Sequence, residues 1–432
     1  MFDSGSEVVR AALRYDKGRD PEDTSFLDAS TYKPDPDNYI DVIAPLPVFD
    51  AAFADDIVSV GLEVSNLVAD ILDAVFAGSV EAMMEWQGIP TEMRSLVSFD
   101  SDDRGLLLGR FFCRPDLIVG PDGPLVLEVN FGPSNGSLAL ADTVQSRFAE
   151  TDQGNALTQQ GIVLRPPASM KTLADALGRV LRRCATDTSH RHLLVAVATK
   201  EEAEEPKGHI VDFCDGLSDL GFDVSLARLS DICADGKTAS LGGRRIDAIY
   251  CMCTFAEIQR NDVPHSLLLD LIALDRAAEL DFIGGPAHLL FDNKANLALL
   301  HEPIADACFD PNRLTYVREH VAKTAMATHH NPKNGPVIYK PVNDYGGFGI
   351  TFDHRVVAAA SRSYIAQDIV PNACRWVDDT GNHTRHLCFG PSFVGGSHAS
   401  TLLRAKSAEG AVPIINAAQG AAVGPVLIRD QA

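Results

Sequence analysis

The chain has 432 residues, is 46% hydrophobic and 22% charged, and carries a formal net charge of −22. That length supports two or three packed units around a large core, and the acidity argues against a sequence-independent nucleic-acid binder, which needs a basic face. No apolar run reaches the ~18 residues of a membrane span, so no membrane partner is expected. The first residues, "MFDSGSEVVR", lack a basic stretch followed by an apolar one, and the nine cysteines are scattered without a CxxC pair. Both features point to a cytoplasmic protein with reduced thiols. The negative charge is compatible with a cationic or amine-bearing substrate, although acidity also serves solubility alone.

Residues 1–50 are rich in Asp and Pro and read as irregular, with one short helix. The stretch from 55 to 87 has apolar residues at helical spacing and predicts one or two amphipathic helices. A mixed strand region follows and ends in "PLVLEVNFGPSN" (124–135), where an apolar run leads into Glu128 and Asn130. Residues i and i+2 of a strand share a face, so these two oxygen-bearing side chains project together. "SLALADTVQSRFAET" predicts a helix, and 151–190, with a Pro-Pro pair and the helical "MKTLADALGRVLRRC", reads as a connector.

From 191 to 290 the pattern changes. "HLLVAVAT", "FDVSLARL" and "RRIDAIYCMCTF" read as strands, with the helix "HIVDFCDGLSDLG" between the first two. Such alternation predicts a small parallel α/β domain. The last part, 291–432, is α+β in flavour. It holds a helix in "AHLLFDNKANLALLHE", a strand, glycine loop and strand in "GPVIYKPVNDYGGFGI", and further strands in "SYIAQDIVPN" and "HLCFGPSFVGG".

Several residues here carry chemistry. Lys340 ends a short β-rich run, where a buried ammonium needs an anion to offset desolvation. Gly346, Gly347 and Gly349 remove Cβ atoms where backbone N–H groups can approach phosphate oxygens, although no GxxxxGK[ST] motif is present. Lys294 stands at a helix start, Gln367 and Asp368 at a strand end flanked by apolar residues, and Arg404 in "TLLRAK". A glycine-rich hairpin with an incidental lysine accounts equally well for the loop taken alone. Lysine, glycine loop, hinge strand and arginine in this order are more specific than any one of them.

With Asp116 in "CRPDLIV" and the Glu128-x-Asn130 strand, this set resembles the ATP-grasp superfamily, with the metal strand moved to the front as in circularly permuted members. It is similar in particular to the synthetase domain of glutathionylspermidine synthase, over roughly 110–135 and 190–405. The resemblance implies an ATP-grasp fold, α/β and α+β, in which 1–150 carries the metal strand, 151–190 is a connector helix, 191–290 is a pre-ATP-grasp α/β domain and 291–432 is the nucleotide lobe. It implies that Asp116, Glu128 and Asn130 bind Mg2+. Lys294, Lys340 and the three glycines hold the ATP phosphates, while Gln367, Asp368 and Ile369 meet adenine and ribose. Arg404 stabilises the transferring phosphate, and Arg114 holds the substrate carboxylate or an acyl phosphate.

The implied reaction is ATP-dependent ligation of a small-molecule carboxylate to an amine through an acyl phosphate, releasing ADP and phosphate. The alternatives are a phosphotransferase on the same scaffold and a non-catalytic nucleotide-binding protein. "FGPSNGS" and "NDYGGFGI" depart from the family pattern and no amidase domain is present, which leaves glutathione and spermidine unassigned as substrates. A homodimer is the default assembly.

Other residues have plainer readings. Ser134 and Asn135 suit a turn as well as an acceptor pocket. Cys251 and Cys253 alternate on a strand as core thiols, and His329 and His330 fall in a polar, solvated loop. Near the end of the chain, Asn416, Gln419 and Gly420 either close over phosphates or substrate, or belong to a terminal strand pair, the reading favoured here.

Overall fold

The computed structural model describes residue 43 and residues 47–429, apart from 98–103, 134–136, 151, 182–191, 207, 331–336, 345–346, 348, 361–362, 373–374, 378–383, 408–413 and 418–419. Most of the first fifty residues, with Ser134, Asn135, Gly346 and Gln419, therefore lie outside the described residues.

Helix α1 (Ala51–Phe76) buries Ile57, Val60, Val64, Leu67, Val68, Ile71 and Leu72, a stripe at three- and four-residue spacing. It ends at Ala77 in the left-handed conformation, and Ser79 then caps α2 (Val80–Trp86) by accepting a hydrogen bond from the Ala82 N–H. The helical stretch is thus two helices, a break supplied by cap chemistry rather than by hydrophobic period.

Strands β1 (Phe112–Gly120) and β2 (Gly123–Phe131) pair antiparallel, with Arg114 opposite Asn130 and Asp116 opposite Glu128. A bulge beyond that pair leaves Leu127 without a partner residue. A helix over Ser137–Glu150 and helix α3 (Ser169–Val180) lead to β3 (His192–Val197), β4 (Asp223–Arg228), β5 (Ala248–Cys251) and β6 (Asp281–Ile283). These four strands run parallel in the order β6-β5-β3-β4, as the alternation of strands and helices predicts.

The predicted helix around Lys294 is interrupted: one turn covers His288–Asp292 and a second, α4, covers Ala295–Leu299. Asn293 makes the break. It adopts ψ 120°, its Oδ1 accepts from the Ala295 N–H at 2.9 Å, and its Nδ2 donates to Asn343 Oδ1 at 2.7 Å. A local side-chain bond here outcompetes helix continuation. Helix α5 (Pro311–Glu319) follows, then a three-stranded antiparallel sheet of β7 (Thr324–Met326), β8 (Val337–Pro341) and β9 (Tyr364–Asp368) in the order β7-β9-β8. The strand expected after the glycine loop is absent among the described residues. Thr351 makes only an isolated bridge to Tyr339, because Gly347 and Gly349 turn the chain at φ 76° and 71°.

The last strands, β10 (Thr384–Val394), β11 (Ser397–Ser407) and β12 (Ala422–Pro425), complete the sheet begun by the early hairpin, in the order β12-β11-β10-β1-β2. Val48–Asp50 likewise pairs with Leu427–Arg429. Helix α1 covers one face of the large sheet. At Gly61 a Cβ would lie 2.9 Å from both Pro115 Cγ and Pro391 Cγ, so glycine is what lets the helix approach. Leu117, Phe389 and Phe393 are buried in the same core, each contributing roughly 1.5–3 kcal/mol relative to exposure. The other face of these strands carries the polar residues. Among the described residues no helix is long and apolar enough to cross a membrane, and the seven described cysteines carry free thiols.

Candidate functional site

Alternation on β1 puts Arg114 and Asp116 on the face away from α1, and their cross-strand partners bring Asn130 and Glu128 to the same place. Asp116 is 3% exposed. Its Oδ1 accepts from Arg114 Nε at 3.1 Å and pairs with Arg404 Nη2, while its Oδ2 accepts from Asn130 Nδ2 at 3.2 Å. Burial alone would raise the Asp116 carboxyl, but the Arg114 and Arg404 guanidiniums outweigh it and hold the group well below the usual carboxylate range. Arg404 comes from β11, opposite Cys388 on β10, and donates to the Cys388 thiol at 3.4 Å. Burial pushes that thiol up to about 12, against the pull of Arg404. Burial also disfavours the Arg404 charge, yet Asp116 more than compensates and raises its pKa.

The bulge in β2 has a direct consequence. Leu127 leaves the ladder, and its carbonyl accepts instead from Lys340 Nζ at 3.3 Å and Gln367 Nε2 at 3.0 Å, both from the three-stranded sheet. An orphaned main-chain acceptor thus becomes the seam between the two sheets. Gln367 also donates to Thr324 Oγ1 at 2.9 Å. Burial lowers the Lys340 pKa below its ordinary value, with Glu128 opposing and Lys294 adding to the effect. Lys294 at the start of α4 donates to the Asp344 carbonyl at 2.7 Å and lies 3.6 Å from Glu128 Oε2.

Between the sheets lies a cavity of about 430 Å3, within the range of small-molecule sites. Asp116 and Glu128 from the early hairpin, Lys294, Lys340, Gly347, Gln367, Asp368 and Ile369 from the middle of the chain, and Arg404 from near its end all line it. The apolar part of the wall comes from residues such as Ile118, Ile338, Ile350, Val370 and Ile414. Arg114 and Asn130 are not in the wall but bond directly to Asp116 behind it, and Gly349 is not in the wall either.

No protein-family model matches the chain, and no curated protein does. Among solved structures it is similar to a glutathione synthetase-like effector from Globodera pallida, at 12% identity and a TM-score of 0.52, with 89% of each chain covered. The fold is glutathione synthetase-like. The chain is also similar, at 11% identity and a TM-score of 0.46, to a candidate gamma-glutamylcysteine synthetase from Methylobacillus flagellatus, over 85% of this chain and 88% of that one.

Within this glutathione synthetase-like fold the cavity has further walls that sequence reasoning missed: Asp344, Asn372, His386, Cys388, Ile414 and Ile415. Asp344 was legible as a candidate, since it follows Lys340 by four residues in "KPVND" and a carboxylate there suits a hard cation. Ile414, Ile415 and Asn416 sit in the wall just before β12, so the terminal segment is both a strand on the sheet and part of the cavity. Cys251 and Cys253 are buried as read and His329 is exposed beside Glu302, but His330 is not solvated as expected: its ring packs edge-on against Tyr339 and its Nε2 is buried.

Glu128 and Asp344 offer hard carboxylate oxygens from the wall, and Asn130, behind it with its Nδ2 committed to Asp116 and to the Arg114 carbonyl at 3.1 Å, adds an amide oxygen. These suit a divalent cation in kind, while among the described residues no group of three or more His, Cys, Asp or Glu is placed to hold one.

Proposed function

We propose that the protein is an ATP-dependent carboxylate–amine ligase with a circularly permuted ATP-grasp arrangement, using Mg2+ and passing through an acyl phosphate. One observation carries the reading: a single cavity gathers Asp116 and Glu128 from the early hairpin with Lys294, Lys340 and Arg404 from later segments. A triphosphate needs such cations, and a metal needs such oxygens, within one cleft between two sheets.

In this reading Lys294 and Lys340 hold the phosphates. The apolar wall with Gln367, Asp368 and Ile369 receives the base and ribose. Glu128, Asn130 and Asp344 hold Mg2+, which when bound neutralises charge on the phosphate oxygens. The Asp116 oxygens are already occupied by Arg114, Arg404 and Asn130, so its part is to fix those two guanidiniums and the Asn130 amide. Arg404 faces the transferring phosphoryl group, and Arg114 the acid to be activated. An oxygen of the substrate carboxylate takes the γ-phosphoryl group and ADP leaves. The amine nitrogen then attacks the acyl carbon, the C–O bond to phosphate breaks, and the amine gives up a proton as phosphate departs. The contribution of the chain is positioning and charge neutralisation.

The test is a screen of amino acids, peptides and polyamines, scoring ADP and phosphate release and product mass. Release that requires both an acid and an amine, and is lost by about 10²–10³-fold in Glu128→Ala with the fold intact, supports the reading. A phosphorylated acceptor without free phosphate makes the protein a phosphotransferase. Nucleotide binding without turnover under any pairing makes it a binding protein.

A further inference from the structure

The large sheet has a second cavity, on its other face. It measures about 520 Å3 and does not depend on the functional reading of the first. The alternation that turns Arg114 and Asn130 toward the first cavity turns Cys113 and Phe131 toward this one.

Three arginines reach it from separate elements: Arg110 from the turn before β1, Arg179 from the last turn of α3 and Arg313 from α5. Arg313 is spent, since it pairs with Glu63 and, at 2.7 Å, with Asp70. The other two keep some donor capacity. Arg110 stacks 4.7 Å above the Phe291 ring and reaches Asp73 only at 3.4 Å through its two terminal nitrogens, while its Nε is buried without a hydrogen-bond partner. Arg179 has no carboxylate partner among the described residues and stands at the β10–β11 turn, where Gly395 at φ 55° brings the backbone close to its Nη2. Ser65, 2% exposed, lines the same cavity with its hydroxyl against the Cys113 thiol, a weak partner that a stronger acceptor can replace.

The buried Arg110 Nε has no acceptor, which is costly unless something accepts from it, and Arg179 stands exposed at the rim with its guanidinium available. In a chain of net charge −22, unspent guanidinium donors converging on one cavity are the local exception to the acidity of the whole. The single carboxylate in the wall, Asp70, is already taken by Arg313. Phe111, Phe131 and Phe393 form apolar wall between the polar groups and suit a carbon skeleton more than a bare inorganic anion. We propose that this cavity binds a small polycarboxylic acid. Its carboxylates meet Arg110 and Arg179, the Ser65 hydroxyl donates to one of them, and its carbon chain lies against the phenylalanines. Planar guanidinium forks recognise carboxylates in this way.

Calorimetric titration of the full chain with glutarate, with citrate and with inorganic phosphate tests this. The expected result is binding of glutarate or citrate in one-to-one ratio, weakened by about tenfold or more in Arg179→Ala and retained in Lys340→Met, which alters only the first cavity. Arg179 is exposed, so its removal leaves folding intact. Ser65→Ala removes only a weak contact to the Cys113 thiol, at small cost to stability, and weakens binding severalfold. Absence of binding by both acids at millimolar concentration, binding of phosphate alone, or loss of binding in Lys340→Met but not in Arg179→Ala each overturns the proposal.

Discussion

Arg404 and Asp116, drawn from opposite ends of the sequence, form an ion pair in which each side chain is only 4% exposed. Between them the chain makes the whole parallel sheet and the three-stranded sheet, so this pair can exist only when β11 and β1 share one sheet. It ties completion of the fold to completion of the site.

Asp116→Asn is expected to lower stability by about 3–5 kcal/mol at pH 7, because it leaves Arg114 and Arg404 buried without their shared anion. The pH dependence follows from the sign of the shift. The folded Asp116 pKa lies below the unfolded value of 3.8, so its contribution is fully present above about pH 5 and is lost as pH falls through 3.8 toward the folded pKa. Urea denaturation of both proteins between pH 3 and 7 should therefore show a gap that narrows on acidification. A gap independent of pH would contradict the assignment.

Gly390 on β10 is where Arg114 crosses the sheet. A Cβ there would lie 2.9 Å from Arg114 Cδ and 3.2 Å from Asp116 Oδ1. Gly390→Ala should displace the Arg114 side chain while costing no more than about 1–3 kcal/mol of stability. If Arg114 holds the activated acid, kcat/KM falls by roughly 10²-fold for a misplacement on the order of 1 Å. Steady-state kinetics beside a melting curve separates the two effects, and unchanged turnover would remove Arg114 from the site.

The shared face of Glu128 and Asn130 follows from strand period alone, and the buried stripe of α1 from helix period. What period could not give were local events that cost or save a single hydrogen bond. The Asn293 side chain splits the helix before Lys294, and the glycine turns replace an expected strand. The Leu127 bulge is the most consequential of these. A ladder slip of one residue creates the acceptor for both Lys340 and Gln367, and nothing in "PLVLEVN" marks it. Asp116 was legible as a candidate and does line the cavity, but its engagement by two arginines depends on β10 and β11 arriving beside β1, which is a matter of tertiary topology.

Lys340 bears a desolvation cost that a ligand would relieve. Its folded pKa is lowered below the unfolded value of 10.5, so folding disfavours its charge, and that penalty shrinks as pH rises toward 10.5. Lys340→Met should therefore be about as stable as the parent at pH 7, or slightly more so. Affinity for a non-hydrolysable ATP analogue should fall by about 10- to 100-fold, the worth of a charge-assisted bond to phosphate. Fluorescence titration and chemical denaturation give both numbers. Lower stability with unchanged affinity would make Lys340 a purely structural residue.

The amide of Asn296 is the last support to weigh, because it fixes the helix that begins at Lys294. Asn296 is 1% exposed, and its Nδ2 donates to the carbonyls of Leu290 and Phe291 at 2.9 and 3.0 Å. Its Oδ1 accepts at 2.8 Å from Gln87 Nε2, which also donates to Leu290 at 2.7 Å. These bonds satisfy carbonyls at the end of the preceding helical turn, which have no intrahelical donor. Asn296→Leu keeps the volume and removes the donors, at an expected cost of about 2–4 kcal/mol for acceptors left buried and unpaired. Because Lys294 sits two residues earlier, its reach toward Glu128 should shift as well. If Lys294 holds the phosphates as proposed, the Michaelis constant for ATP should rise several-fold more than kcat falls, since its displacement would weaken binding before it touches the chemistry. Gln87→Ala, which leaves the Asn296 donors in place, should reproduce only part of the stability loss and little of the kinetic change. Equal effects from the two substitutions would show that general loosening, rather than the placement of Lys294, is what the Asn296 amide prevents.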